Sequence, residues 1–160
     1  MVKLKDFSDK HLQIIIEKII SEDISKEWLR DFLLRKKLKV GHHSRDLSLS
    51  EFFDVYIWDN LTEEQQKKII ESLNLIIEED LFLGKQPGMN YWSHLLDFAI
   101  LHEKKSPGKI NVRPFIIWKK NGYPNLRNHL ETAYLTKPRP ERINELTNEL
   151  NTKIENAFMK

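Results

Sequence analysis

The sequence predicts an all-α fold of seven or eight helices arranged as antiparallel hairpins. Apolar residues recur at intervals of three and four along most of the chain, which is the spacing of one helical face. Only five Gly and six Pro occur in 160 residues, too few for the many turns of a β-sandwich. Because this length is near the usual size of one domain, we expect a single helical domain over residues 1–160.

Capping residues predict where the first four helices begin. Ser8 and Ser25 precede the first two apolar stripes, and Ser48 or Ser50 precedes the third. Each is predicted to cap a helix, because a hydroxyl at this position can accept a hydrogen bond from an otherwise unpaired backbone N–H. Thr62 to Gln65 is a capping box at the start of the fourth helix. The third helix is predicted with four side chains facing inward: Phe52, Phe53, Tyr56 and Ile57.

Gly and Pro residues divide the second half of the chain. A fifth helix is expected from Asn90, and a sixth from Asn111 to Lys120 with Pro114 in its first turn, where a missing N–H costs nothing. Asn121 and Gly122 predict a left-handed stop to the sixth helix. Pro124 begins another helix, and a final helix with a narrow apolar stripe follows Pro140.

The spacing of the predicted hairpins leaves two architectures open. Pairs of helices would start near residues 8, 48, 90 and 125, at intervals of about 40, 42 and 35 residues, a size typical of stacked helix-hairpin repeats. No side-chain signature recurs between the pairs. Both a short solenoid-like stack and an irregular bundle fit this pattern.

Charge is segregated along the chain. Residues 46–103 carry twelve acidic and three basic residues, whereas residues 104–142 carry ten basic and two acidic ones, within a total of only +2. Two opposed poles of this kind can each attract a partner at long range, and they also permit self-association. We expect a protein partner to bind at eight cations of the basic segment: Lys104, Lys105, Lys109, Arg113, Lys119, Lys120, Arg127 and Arg139.

Nucleic acid is the alternative partner, because the basic segment interleaves its cations with rings. Cations follow phosphates, and exposed rings can stack on unpaired bases. The rings concerned are Phe115, Trp118, Tyr123, His129 and Tyr134. If Phe115, Trp118 and Tyr134 belong to the core instead, only a solvated basic face remains.

No metal or cofactor site is expected. The chain has no Cys and no Gly-rich phosphate loop. His94, Asp97 and His102 are the nearest metal-like group, but their spacing spreads them over about 140° of one helix, too wide to converge on one ion.

No catalytic residues are expected either. The acidic run Glu78 to Asp80 stands at a predicted helix end with no cation nearby, and is expected to face water. Arg35 and His42 are separated by six residues, a spacing that resembles the motif of the helical ribonuclease family HEPN. This resemblance implies a third candidate function, a small helical ribonuclease. About one such match is expected by chance in this composition, and Gly41 interrupts the helix that the motif needs.

The sequence contains nothing that points outside the cytoplasm. The absence of Cys suits a reducing compartment. Residues 1–7 are too polar for the apolar core of a signal peptide, and no run of about 20 apolar residues could span a bilayer. We therefore expect a cytoplasmic, non-enzymatic helical scaffold without a cofactor or a membrane partner.

Overall fold

The computed structural model describes residues 10–34, 48–82, 90–124 and 140–159. Within these ranges the regular elements are helical, with seven α-helices and no β-strand, which confirms the all-α prediction. The hairpin pairing, and the choice between a stack and a bundle, stay predictions. None of the helices in these ranges is long and apolar enough to cross a bilayer.

The chain divides into two compact units, Met1–Leu73 and Asn74–Lys160. The single domain predicted over residues 1–160 stays a prediction. Several predicted features lie outside the described residues: the Ser8 cap, the Arg35 and His42 pair, and the helix expected after Pro124.

The described part of the first unit contains three α-helices and the start of a long fourth one. They are α1 at Lys10–Ser21, α2 at Lys26–Leu33 and α3 at Leu49–Phe52. A π-helical turn at Phe53–Ile57 and a 3-10 turn at Trp58–Asn60 follow α3. The predicted third helix is therefore irregular, because its hydrogen-bond ladder widens after a single α-helical turn, as it does where an extra residue is accommodated. The inward side is as predicted for Phe52, Phe53 and Ile57, which are buried.

Three of the N-terminal caps predicted in this unit, at Ser25, Ser48 and Thr62, are confirmed. Ser25 and Ser48 each accept a hydrogen bond through Oγ from the backbone N–H three residues on, at 3.1 and 3.2 Å. In the capping box, the Gln65 N–H donates to Thr62 Oγ1 at 3.1 Å and the Thr62 N–H donates to Gln65 Oε1 at 2.9 Å. The Gln65 amide also donates to the carbonyl of Ile20 in α1, at 2.8 Å, so the cap joins two helices.

Helix α4, Glu63–Asp80, contributes residues to both units. The second unit also contains α5 at Asn90–Lys105, α6 at Arg113–Lys120 and α7 at Pro140–Phe158. Its buried side chains are apolar or aromatic for the most part, and they include Leu95, Leu96, Phe98, Phe115, Trp118, Tyr123, Leu150 and Ile154. Helix α6 packs on α7 through the rings of Phe115 and Phe158, whose centroids are 5.5 Å apart.

The end of α6 is a Schellman motif. The Tyr123 N–H donates to the Trp118 carbonyl at 3.1 Å, and the Gly122 N–H donates to the Lys119 carbonyl at 3.0 Å. Gly122 has a φ of 76°, which confirms the predicted left-handed stop. The rings of Trp118 and Tyr123 meet edge to face at 4.6 Å, the apolar contact that often accompanies this motif.

We expect Gly122→Ala to destabilise the protein by about 1 kcal/mol, because an L side chain is strained at this φ. A Cβ at residue 122 would meet no atom within 4 Å, so the cost is one of backbone conformation alone. Urea unfolding measures it, and Gly122→Asn is the control, since Asn tolerates the left-handed region better. Equal stability of the Ala variant and the unmodified chain would contradict this description of the stop.

Candidate functional site

Six of the eight predicted partner-binding cations lie in the described residues, and we call them the basic surface. They occupy the last turn of α5, the connecting segment 106–112, and both ends of α6. Lys119 is half-buried and the other five are exposed. The six are Lys104, Lys105, Lys109, Arg113, Lys119 and Lys120. Arg127 and Arg139 lie outside the residues that the structure describes.

The connecting segment is held in place by polar side chains of α4 and α5. Asn74 donates through Nδ2 to the Lys109 carbonyl at 3.0 Å and accepts from the Asn111 N–H through Oδ1 at 2.8 Å. Glu78 Oε1 accepts from Asn111 Nδ2 at 3.0 Å, and Glu103 Oε1 accepts from the Gly108 N–H at 2.9 Å. The segment that carries Lys109 is therefore fixed on α4, and the acidic and basic parts of the sequence meet there.

The carboxylates that precede the basic surface in the sequence do not neutralise four of its exposed members. Lys119 Nζ lies 3.4 Å from Glu155 Oε1 of α7. Lys104, Lys109, Arg113 and Lys120 form no ion pair with a carboxylate of the described residues. Because exposed charges of this kind are screened only by solvent and salt, the surface retains a positive potential.

The rings of the basic segment do not share this exposure. Phe115 and Trp118 are fully buried, and Tyr123 is 2% exposed. These three rings are therefore not available to stack on unpaired bases, and for Phe115 and Trp118 the alternative of burial in the core holds. His129 and Tyr134 lie outside the described residues.

The outer face of α6 combines cations with one apolar side chain. Arg113, Ile117 and Lys120 follow one another at positions i, i+4 and i+7, within about 60° of the helix circumference. All three are exposed, and Ile117 keeps 41% of its surface accessible. This α6 stripe, as we call the three residues, has a centre that can bury apolar area and two charged ends.

A groove borders the basic surface at Lys104. It has a volume of about 650 Å³, within the range of sites that take a ligand or a partner's side chain. Its walls come from α5, the connecting segment and α7: Ile100, Glu103, Lys104, Pro107, Lys153, Asn156 and Ala157. Lys153 is already paired with Asp97 at 3.0 Å and with Glu149 at 3.7 Å, which leaves Lys104 as the exposed cation at this groove.

The other candidate groups differ from the sequence-based expectation in one respect. Asp80 was expected to face water, but it is 2% exposed and its carboxylate accepts a hydrogen bond from the Tyr91 hydroxyl. The local sequence does not indicate that Asp80 is buried, because its partner Tyr91 belongs to the next helix. Glu78 and Glu79 are exposed, as expected.

The His94, Asp97 and His102 group does not form a metal site. Asp97 binds Lys153, and the His102 ring is buried 4.6 Å from that of Phe98. In the ranges that the structure describes, no three side chains of the metal-binding types come together.

The chain was compared with protein-family models, curated proteins and solved structures, and no match was found in any of the three.

Tyr123 is the one described group near the basic surface with a clearly shifted pKa. Burial, together with the negative charge of Glu155, raises the pKa of its phenol from 10.0 to about 12. The hydroxyl donates a hydrogen bond to Asn151 Oδ1 at 2.6 Å. The folded protein therefore keeps the phenol protonated at a pH where the unfolded chain releases the proton.

This shift predicts a loss of stability between pH 10 and pH 12. The contribution of Tyr123 is complete below pH 10 and is lost as the pH rises through the folded pKa of about 12. Between pH 9 and about pH 11.5, the free energy of unfolding should fall by about 2 kcal/mol more in the unmodified chain than in Tyr123→Phe. Urea unfolding at both pH values measures this, and equal falls would contradict it.

Proposed function

We propose that this chain is a non-enzymatic helical interaction module that docks a protein partner on its basic surface. The observation that carries the proposal is the α6 stripe. Its two cations, Arg113 and Lys120, are exposed and form no ion pair with a described carboxylate, while Ile117 between them is exposed and apolar. An apolar centre with a charged rim is the usual composition of a protein interface.

The chemistry of the partner follows from that of the stripe. A surface that offers carboxylates on either side of an apolar residue would place opposite charges against Arg113 and Lys120 and bury Ile117. The charges steer the encounter and set its register, and the apolar contact contributes affinity. Partner binding through such a surface needs no cofactor, and the proposed location is the cytoplasm.

Two observations favour protein over nucleic acid. The buried rings Phe115, Trp118 and Tyr123 cannot stack on bases. In addition, the exposed carboxylate Glu78 is bonded to Asn111 in the connecting segment, so a negative charge stands at the edge of the basic surface and would repel phosphates.

Affinity capture from the native cell tests the proposal with a matched pair of variants. Arg113→Glu/Lys120→Glu should weaken binding of a stoichiometric protein partner at least about tenfold, because repulsion replaces attraction at both ends of the α6 stripe. The control, Lys67→Glu/Lys68→Glu, makes the same change in net charge at exposed positions of α4. It should leave binding unchanged.

Two results would contradict the proposal. One is a partner that is lost equally from both variants, since net charge alone would then explain the binding. The other is a mobility shift of single-stranded RNA or DNA at about 50 mM salt that Arg113→Glu/Lys120→Glu abolishes, with no protein captured. That outcome would establish the nucleic-acid alternative.

A further inference from the structure

A second exposed stripe in the same unit has the opposite charge. At the end of α4 and just beyond it, Leu75 and Phe82 keep 46% and 45% of their surface accessible. Leu75 and Glu78 lie in the last turns of α4, and Phe82 lies in the turn that directly follows Asp80. Glu78 is exposed and stands between the two apolar residues in the sequence. We call Leu75, Glu78 and Phe82 the α4 stripe. Apolar residues surround a carboxylate here, whereas in the α6 stripe cations surround an apolar residue.

The two stripes fit each other when they are offset by one helical turn. If Leu75 lies against Ile117 and the two helices run in the same direction, Glu78 lies against Lys120. Each of these two residues follows its apolar partner by three positions, or about one helical turn. Positions three and four residues apart are separated by about 4.5 to 6 Å along a helix axis, so the apolar and ionic contacts form at the same helix spacing.

Within one chain the two stripes are neighbours. Glu78 is bonded to Asn111 at 3.0 Å, and Arg113, the first residue of α6, follows two positions later. A surface that holds both charges side by side is self-complementary. In a two-fold dimer, each stripe of one copy meets the opposite stripe of the other, and the same contact forms twice.

We propose that the basic surface binds a second copy of this chain, with the α6 stripe of each copy on the α4 stripe of the other. This inference rests on the proposed function and names its partner. The contact is small and partly ionic, so the dimer is weak, forms at high protein concentration, and dissociates as salt increases.

Sedimentation velocity on the full chain tests the dimer by exchange of charges. Lys120→Glu alone and Glu78→Lys alone should each weaken the dimer at least about tenfold, because each places like charges together twice per dimer. An equimolar mixture of the two variants should restore it, since both contacts then pair opposite charges again. Such restoration requires that residues 78 and 120 face each other across the interface.

Two controls separate the contact from folding. Glu78→Gln retains an oxygen that can accept from Asn111 Nδ2, so it should keep the melting temperature while weakening the dimer. Ile117→Ser removes the apolar centre and leaves every charge in place, and it too should weaken the dimer. Circular dichroism melting curves establish that each variant is folded.

Three outcomes would overturn the inference: an unmodified chain that stays monomeric at low salt up to roughly millimolar concentration, a dimer that neither single reversal weakens, or a mixture that fails to restore association. A monomeric chain that still captures a different protein through Arg113 and Lys120 would remove the second copy as partner and leave the proposed function standing. A monomeric chain that captures no protein removes both.

Discussion

The basic surface depends on the burial of the inner side of α6. Burying a side chain the size of Phe or Trp contributes about 1.5 to 3 kcal/mol, and Phe115 and Trp118 are both fully buried. An exposed ion pair contributes at most about 1 kcal/mol. Apolar packing therefore sets the rotation of α6, and the cations of its outer face are exposed as a consequence. The Schellman motif holds the end of the helix in that orientation through the contact of Trp118 with Tyr123.

The connecting segment imposes a second constraint, because a loop of seven residues could otherwise adopt many conformations. Asn74 uses both atoms of its amide on the backbone of residues 109 and 111. The segment is thereby fixed on α4, and the acidic part of the sequence borders the basic part. Adjacent opposite charges that do not cancel each other make this surface suited to a partner with the same pattern in reverse.

Much of the fold could be predicted because its signals are local. The capping box at Thr62, the caps at Ser25 and Ser48, and the left-handed Gly122 each depend on residues within a few positions. The exposure of Arg113 and Lys120 and the burial of Trp118 also follow from the helical period within one short helix. The helical period of α6 therefore indicates whether Trp118 is buried, a question that the composition of the basic segment left open.

What the sequence could not supply depends on contacts between distant residues. The burial of Asp80 requires Tyr91 from the next helix, and the position of Lys109 requires Asn74, 35 residues earlier. The π-helical turn at Phe53–Ile57 could not be predicted from apolar spacing, because that prediction assumes 3.6 residues per turn throughout. The pairing of Lys119 with Glu155 likewise joins two helices, so the local run of cations gave no sign that one of them is partly neutralised.

The central claim is that the packing of α6, together with the anchoring of the connecting segment on α4, leaves the cations of the basic surface exposed to a partner. Acylation of lysine amines, followed by mass spectrometry, measures this directly in the native protein. Lys104, Lys109 and Lys120 should react nearly as fast as in the unfolded chain, while Lys119 and Lys153, which are paired with carboxylates, should react several times more slowly. Protection of Lys109 and Lys120 to the same degree as Lys153 would contradict the claim.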